Sequence, residues 1–277
     1  MIEHLVISSG GPLGIVQLGM LSEAFSAGVL DINTLKTIHG CSSGAILGCI
    51  LCLKIPIQDL VDYVITRTWE KWIQYDIQNF YTKKGVVDNS CIAEIVIPFF
   101  KAYDVPLTIT MEEFYQRTGM DYYVVTTESS EMKSVTLHHS TFPDLPVLTA
   151  ITMSSAIPFA FPPVKYKDKY YIDGVCRRHC PYVDYPKETV CIINIDASIF
   201  NDPAEDDASD YFQNLLLKSY RILSYSDTIP EGLNFTCSNV PSIVSADLWK
   251  RSIQEPSYRE MLLNIGRTLV QEQLKEP

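Results

Sequence analysis

Thr37-Ile38-His39-Gly40-Cys41-Ser42-Ser43-Gly44-Ala45 contains the pattern Gly-x-Ser-x-Gly, with Ser42 at its centre. The β-prone run Thr37 to His39 leads in, and the apolar run Ala45 to Leu53 leads out. This order predicts strand, sharp turn, helix. Such a turn holds its serine in a strained conformation with the hydroxyl presented, and needs small neighbours such as Gly40 and Gly44 so that the backbone can crowd it. The following helix aims its N-terminal amides and positive dipole end at Ser42, where a tetrahedral intermediate would carry charge. The pentapeptide alone is equally compatible with a Gly/Ser-rich loop that does no chemistry, so its context decides.

Composition narrows that context. The chain has 277 residues, of which 47% are hydrophobic, enough for one large α/β domain over 1–277. Its net charge of -11 makes it a poor candidate for nucleic acid or for electrostatic docking on anionic lipid. Eight cysteines are present, several in apolar runs, and Met1-Ile2-Glu3-His4 lacks the basic start of a signal peptide. Free thiols in a reducing, cytoplasmic setting are expected. Cys49-x-x-Cys52 and the Cys176/His179/Cys180 group lack a second pair at zinc-finger spacing, so no metal is expected. No apolar run is long enough to span a membrane.

Working outward, His4 to Ser8 reads as a buried strand that runs into Ser9-Gly10-Gly11-Pro12-Leu13-Gly14. A helix follows, with Ile15, Leu18, Leu21 and Phe25 at helical spacing and Gly28 as its stop. The glycine turn matches neither a dinucleotide fingerprint nor a P-loop. It remains a turn that exposes backbone amides at a helix N-terminus, suited to an anion or oxyanion, with Gly10 and Gly11 as donors. Pro56 opens a helix expected to continue to Trp69 and Trp72. Asp88 is read as the cap of a helix to about Lys101, bent at Pro98, and Thr110-x-x-Glu113 as a capping box.

Strands are expected at Tyr122 to Thr127 and Ser134 to His139. His138-His139 is the densest imidazole cluster but has no carboxylate near it in sequence, which favours plain strand-end histidines. A helix from about Pro146, with Asp144 as its cap, must end before Pro158; Ser154, Ser155 and Ala156 in it are small enough for another element to come very close. A hairpin around Lys167-Asp168 delivers Asp173-Gly174 at a strand end, and Val190 to Ile193 read as a buried parallel strand. A polar loop is expected at Asp202 to Asp210, a helix at Tyr211 to Tyr225, and a last helix capped by Ser257-x-x-Glu260. Alternating strands and helices predict an α/β domain with a mostly parallel sheet.

Three motifs therefore occur in order: Gly10-Gly11-Pro12-Leu13-Gly14, Gly40-x-Ser42-x-Gly44 and Asp173-Gly174, with Ser154-Ser155-Ala156-Ile157-Pro158 before the third. Together they resemble the patatin-like phospholipase family, over roughly residues 4–196, with a helical part at about 208–277 beyond it. The resemblance implies a three-layer α/β/α fold and a Ser-Asp dyad, with Ser42 as nucleophile, Asp173 as its partner and the Gly10 and Gly11 amides as oxyanion hole. It implies a lipid acyl hydrolase of phospholipase A or lipase type that needs no cofactor and touches membranes or lipid droplets from the cytoplasm. A lipid acyltransferase with the same dyad, or a non-catalytic lipid-binding protein, are the alternatives. Three positions depart from the family pattern: Ser9 and Leu13 replace a glycine and a basic residue in the first motif, and Val175 follows Asp173-Gly174 where Gly or Ala is usual. A Ser-His-Asp arrangement would need a histidine after the acid, and His179 is the only one there.

Overall fold

The computed structural model describes residues 1–73, 75–196, 233–238 and 246–275. Its strands are β1 (His4–Ile7), β2 (Thr37–Cys41), β3 (Asp121–Glu128), β4 (Lys133–Leu137), β5 (Val164–Tyr166), β6 (Lys169–Asp173), β7 (Val190–Ile195) and β8 (Leu233–Cys237). They form one sheet in the order β5-β6-β3-β2-β1-β7-β8, with β4 also on β3. The run β3-β2-β1-β7-β8 is parallel, while β4, β5 and β6 add antiparallel pairing on one side. This is the expected mostly parallel α/β sheet.

Alternation along the strands sorts the core. Leu5, Ile7, Ile38, Tyr122, Val124, Cys191 and Ile193 belong to one large buried cluster. That cluster includes residues of the helices α1 (Gly14–Ser26), α2 (Ser43–Cys52), α3 (Ile57–Thr66), α5 (Ser90–Ala102), α6 (Met111–Thr118) and α7 (Val147–Ser155). The short helix α4 (Ile77–Lys83) precedes α5, and α8 (Ala246–Gln254) and α9 (Pro256–Gln273) close the chain. Val6, Val190 and Ile192 face the other way and pack with Cys180, Tyr182 and Tyr185. Leu5, Leu18, Ile38 and Phe114 are wholly buried, each worth roughly 1.5–3 kcal/mol relative to exposure. All eight cysteines are buried and unbridged.

One feature of register positions everything that follows. β2 pairs residues 121–125 of β3, ending at Cys41 opposite Val125. β6 runs the other way and ends at Asp173 opposite Thr126. β4 occupies residues 124–128 of β3 and so takes its other edge. The C-terminal ends of β2 and β6 therefore meet head-on against consecutive residues of β3.

Several local expectations hold. The hairpin turns at Lys167 (φ 53) between β5 and β6. Thr110 and Glu113 make the full capping box, and α6 stops at Gly119 with φ 67. Others need correction. The helix from Pro56 ends at Thr66 instead of reaching Trp72, because Arg67 turns extended (φ -65, ψ 141). Its guanidinium stands about 5 Å from the rings of Tyr63, Trp69 and Trp72, and the Thr66 hydroxyl donates back to the Asp62 carbonyl at 2.7 Å. Asp88 does accept from Ser90 N–H at 2.9 Å, but the flanking residue of α5 is Asn89. α7 starts after Pro146, with no side-chain cap from Asp144. α9 begins at Pro256, one residue before the predicted Ser257 cap, since proline is preorganised for the first helical position. The predicted loop at Asp202 to Asp210 and helix at Tyr211 to Tyr225 lie outside the described residues.

Candidate active site

Ser42 sits at the turn between β2 and α2 with φ 54 and ψ -120, a backbone that L-residues rarely adopt. Crowding enforces it. A side-chain carbon at Gly44 would lie 2.3 Å from the Ile7 carbonyl oxygen, and one at Gly40 2.5 Å from that of Gly44. The turn is thus wedged against the end of β1. Ser42 N–H donates to Ser154 Oγ at 2.9 Å, and Ser154 Oγ–H donates to the Val125 carbonyl at 2.6 Å. Ser154 accordingly ties the turn to the strand on which β2 and β6 meet.

Asp173, at the end of β6, receives the Ser42 hydroxyl: Oγ donates to Oδ2 at 2.7 Å. Its other oxygen accepts from Val175 N–H at 2.8 Å, and its own N–H donates to the Ala156 carbonyl at 2.9 Å. Val175 contributes through its backbone, so its bulkier side chain leaves this bond intact. Gly174 lies so close to β3 that a side-chain carbon there would be 2.5 Å from the Val125 carbonyl oxygen. Asp173 is completely buried, and burial pushes its carboxyl up to about 7, against the opposing effect of the Val175 and Ser42 hydrogen bonds.

The glycine turn after β1 lies beside the elbow, with Gly11 and Ser42 lining one cavity. Gly11 adopts φ 52, and no described residue accepts from the N–H of Gly10 or Gly11. Gly14 opens α1 so near α2 that an added carbon would be 2.9 Å from Ser43 Cβ. Leu13 is wholly buried in the core, so its position brings no charge to the cleft. A buried polar network locks the turn to the serine elbow. Gln17 Nε2 donates to the Ser8 carbonyl at 2.7 Å, while its Oε1 accepts from Ser43 Oγ at 2.9 Å. Gln17 and Ser154 escaped the reading of functional residues. The available signal was a glutamine set among Ile15, Val16 and Leu18 at the start of a helix, and a serine in a helix that must run close to the elbow.

His179 does not join Ser42 and Asp173. Its Nε2 donates to the Ile195 carbonyl at 2.8 Å, which leaves Nδ1 to accept from the Ser9 hydroxyl at 2.6 Å. His39 points to the sheet's other face, stacked on Tyr123 at 4.3 Å and bonded to the Tyr185 hydroxyl at 3.0 Å. Burial lowers its imidazole to about 3, so it is neutral. An apolar cavity of about 190 Å³ opens on Ser42, walled by Ile15, Leu47, Val64, Trp69, Ile95 and Phe161 among others. Trp69 and Phe161 line it, whereas Phe159 and Trp72 are exposed.

Ser154→Ala should loosen the elbow without touching the reacting groups. Loss of its two bonds is expected to cost about 1–3 kcal/mol of stability. Misplacing the Ser42 backbone should lower kcat on the order of 10- to 100-fold. Thermal melts together with kcat and KM on a soluble ester check both effects; an unchanged kcat would show that Ser154 does not position Ser42.

A serine on a strained strand-to-helix turn, bonded to a buried carboxylate at the end of a neighbouring strand, is an arrangement suited to ester hydrolysis. The chain belongs to the patatin-like phospholipase family, whose sequence pattern matches residues 5–184. It is 24% identical over 265 residues to "Probable lipid hydrolase 463L" of Invertebrate iridescent virus 6, covering 90% of this chain and 83% of that protein. It is also 25% identical over 180 residues to "Triacylglycerol lipase 4" of Saccharomyces cerevisiae, covering 59% of this chain but 19% of the yeast protein. Among solved structures it is similar in fold to VipD from Legionella pneumophila, with TM-score 0.51, 15% identity, and coverage of 95% of this chain and 67% of that one. The type III effector ExoU gives TM-score 0.51 at 12% identity, covering 99% of this chain and 53% of the effector. The protein is thus a lipid ester hydrolase by family. No helix among the described residues is long and apolar enough to cross a membrane.

Proposed function

We propose that this chain hydrolyses acyl esters of lipids through a Ser42–Asp173 dyad and an acyl-enzyme. The observation that carries the reading is the 2.7 Å bond from Ser42 Oγ to Asp173 Oδ2, made to a carboxyl that burial has brought to about 7. A carboxylate of ordinary pKa is a weak base at neutral pH; one near 7 accepts a proton effectively there. Asp173 takes the hydroxyl proton as Oγ bonds to the ester carbonyl carbon. The carbonyl electrons move to oxygen, which the Gly10 and Gly11 N–H groups hold. Collapse expels the alcohol, which leaves with the proton from Asp173. Water then repeats the sequence, with Asp173 accepting its proton and returning one to Ser42 as the fatty acid departs.

The apolar cavity suits the acyl chain, and the surface beside it suits a lipid interface. Trp72, Tyr75, Tyr81 and Phe159 are exposed on segments adjoining the cavity residues Trp69, Ile73 and Phe161. Lys84 stands over the exposed Tyr170 ring at 5.6 Å. Amphipathic rings and lysines of this kind favour a membrane–water boundary, so transient contact with a membrane or droplet surface fits. The test is incubation with a fluorophosphonate, followed by peptide mapping and assays on phospholipid, triglyceride and a short soluble ester. A single adduct on Ser42 and release of fatty acid are expected. A folded protein that neither labels at Ser42 nor cleaves any ester would overturn the proposal.

A further inference from the structure

At the far end of β3 from Ser42, about 13 Å along the strand, three side chains converge that the dyad does not use. His138 Nε2 and His139 Nε2 each lie 3.1 Å from the same oxygen, Asp121 Oδ1. All three donor atoms fall within 4.8 Å of one another. The carboxylate that the histidine pair lacked in sequence is supplied across space, by the first residue of β3.

We propose that Asp121, His138 and His139 bind a divalent transition-metal ion, with Zn2+ the best match. Metal–ligand bonds of about 2.0–2.1 Å in a tetrahedral site separate neighbouring donor atoms by roughly 3.3 Å. The two observed 3.1 Å separations need little movement to open around such an ion. Two imidazoles and one carboxylate suit zinc, and leave its fourth position to water.

The outer contacts carry the argument further. His139 Nδ1 is 2.9 Å from Glu112 Oε2, and His138 Nδ1 is 2.8 Å from Ser140 Oγ. The Glu112 carboxylate can accept an Nδ1–H from His139, which turns that ring's Nε2 lone pair toward the centre, the usual support of a metal-bound histidine; His138 Nδ1 also accepts from Ser140 N–H at 3.3 Å, a contact that metal binding through Nε2 would have to break. His139 is the telling residue. Both of its nitrogens face carboxylates, which only accept, yet a neutral imidazole has one N–H. With one proton on Nδ1 toward Glu112, either a second proton or a metal ion stands between Nε2 and Asp121, and an ion there would also engage His138 Nε2, which lies 3.1 Å from the same oxygen. The rings are held in place by stacking, His138 on Tyr123 at 4.0 Å and His139 on Tyr115 at 3.9 Å. Binding would displace any proton shared between Nε2 and Asp121 to solvent and clamp β3, α6 and the 138–139 segment together.

The experiment uses the full chain, stripped with a chelator and titrated with zinc chloride by calorimetry. One equivalent is expected to bind, with a rise in Tm that grows with free zinc. Asp121→Asn and His139→Gln should each weaken that binding at least tenfold, and Glu112→Gln about 10- to 100-fold through its outer contact. Ser42→Ala should bind as the unaltered protein does. X-ray absorption of the zinc-loaded unaltered chain gives a readout independent of variant folding: nitrogen and oxygen neighbours near 2.0 Å are expected. Absence of stoichiometric binding, unchanged affinity in folded Asp121→Asn and His139→Gln, or a sulfur shell near 2.3 Å from the cysteines would each overturn the site.

Discussion

Ser42→Ala is expected to lower kcat/KM for ester hydrolysis by on the order of 10⁴-fold or more, because removal of the nucleophile abolishes the covalent route and leaves only binding and oxyanion stabilisation. The fold should survive. The Ser42 N–H bond to Ser154 is made by the backbone, and the wedging of Gly40 and Gly44 is unaffected. What the variant loses inside is the hydroxyl donor to Asp173. That bond holds the carboxyl down, so its loss leaves Asp173 protonated to a still higher pH. Kinetics on one soluble ester, with circular dichroism and a thermal melt as folding controls, decide the matter. A folded Ser42→Ala protein with undiminished turnover would remove Ser42 from the mechanism.

The second large effect concerns Asp173 and has two parts of opposite sign. Asp173→Asn should reduce kcat/KM by roughly 10²–10⁴-fold, since an amide cannot accept the serine proton. The same substitution should stabilise the protein at pH 8. The folded carboxyl titrates at about 7, above the unfolded value near 3.8, so the folded state holds a proton that the unfolded state has released between those values. Stability contributed by this group is therefore full below about pH 4 and is lost as pH rises through about 7. Asparagine has no such loss; its oxygen can still accept from Val175 N–H and its amide can donate to Ser42 Oγ. The Tm advantage of Asp173→Asn should grow from pH 4 to 7 and level off above, while kcat/KM of the unaltered protein rises through the same upper limit. His179→Ala serves as contrast, because that ring bonds Ser9 and Ile195 and not Asp173. A loss in a folded His179→Ala protein as large as that in Ser42→Ala would replace the dyad with a triad.

What the sequence made legible was local. A strained turn needs small residues at fixed offsets, so Gly40, Ser42 and Gly44 could be read directly, and the capping box at Thr110 and the hairpin at Lys167 follow equally short rules. Asp173-Gly174 was visible as a strand-end turn, but its pairing with Ser42 came from family resemblance, because nothing local encodes a contact between residues 131 positions apart. Contacts made across the fold were harder. Gln17 looks like one polar residue on a helix until Ser8 and Ser43 are seen around it. His138 and His139 look solitary until β3 brings Asp121 beside them and α6 brings Glu112. The helix after Pro56 was read too long because its apolar spacing continues past Arg67, while the ring cage that captures Arg67 is a tertiary feature.

The head-on meeting of β2 and β6 against β3 also bears on how such a protein can change over generations. The separation of Ser42 from Asp173 is fixed by adjacent rungs, Val125 and Thr126, of a single strand. The connecting stretches, residues 42–120 and 129–168, do not enter that measurement, apart from the elbow itself and the Thr126-facing end of α7. Lengthening a surface connection adds only slowly to the entropy of closing it. New substrate-facing segments can thus be inserted between these strands while the reacting atoms stay in register. A one-residue insertion between Val125 and Thr126, by contrast, would part Ser42 from Asp173 and would also shift the pairing of β3 with β4 and β6.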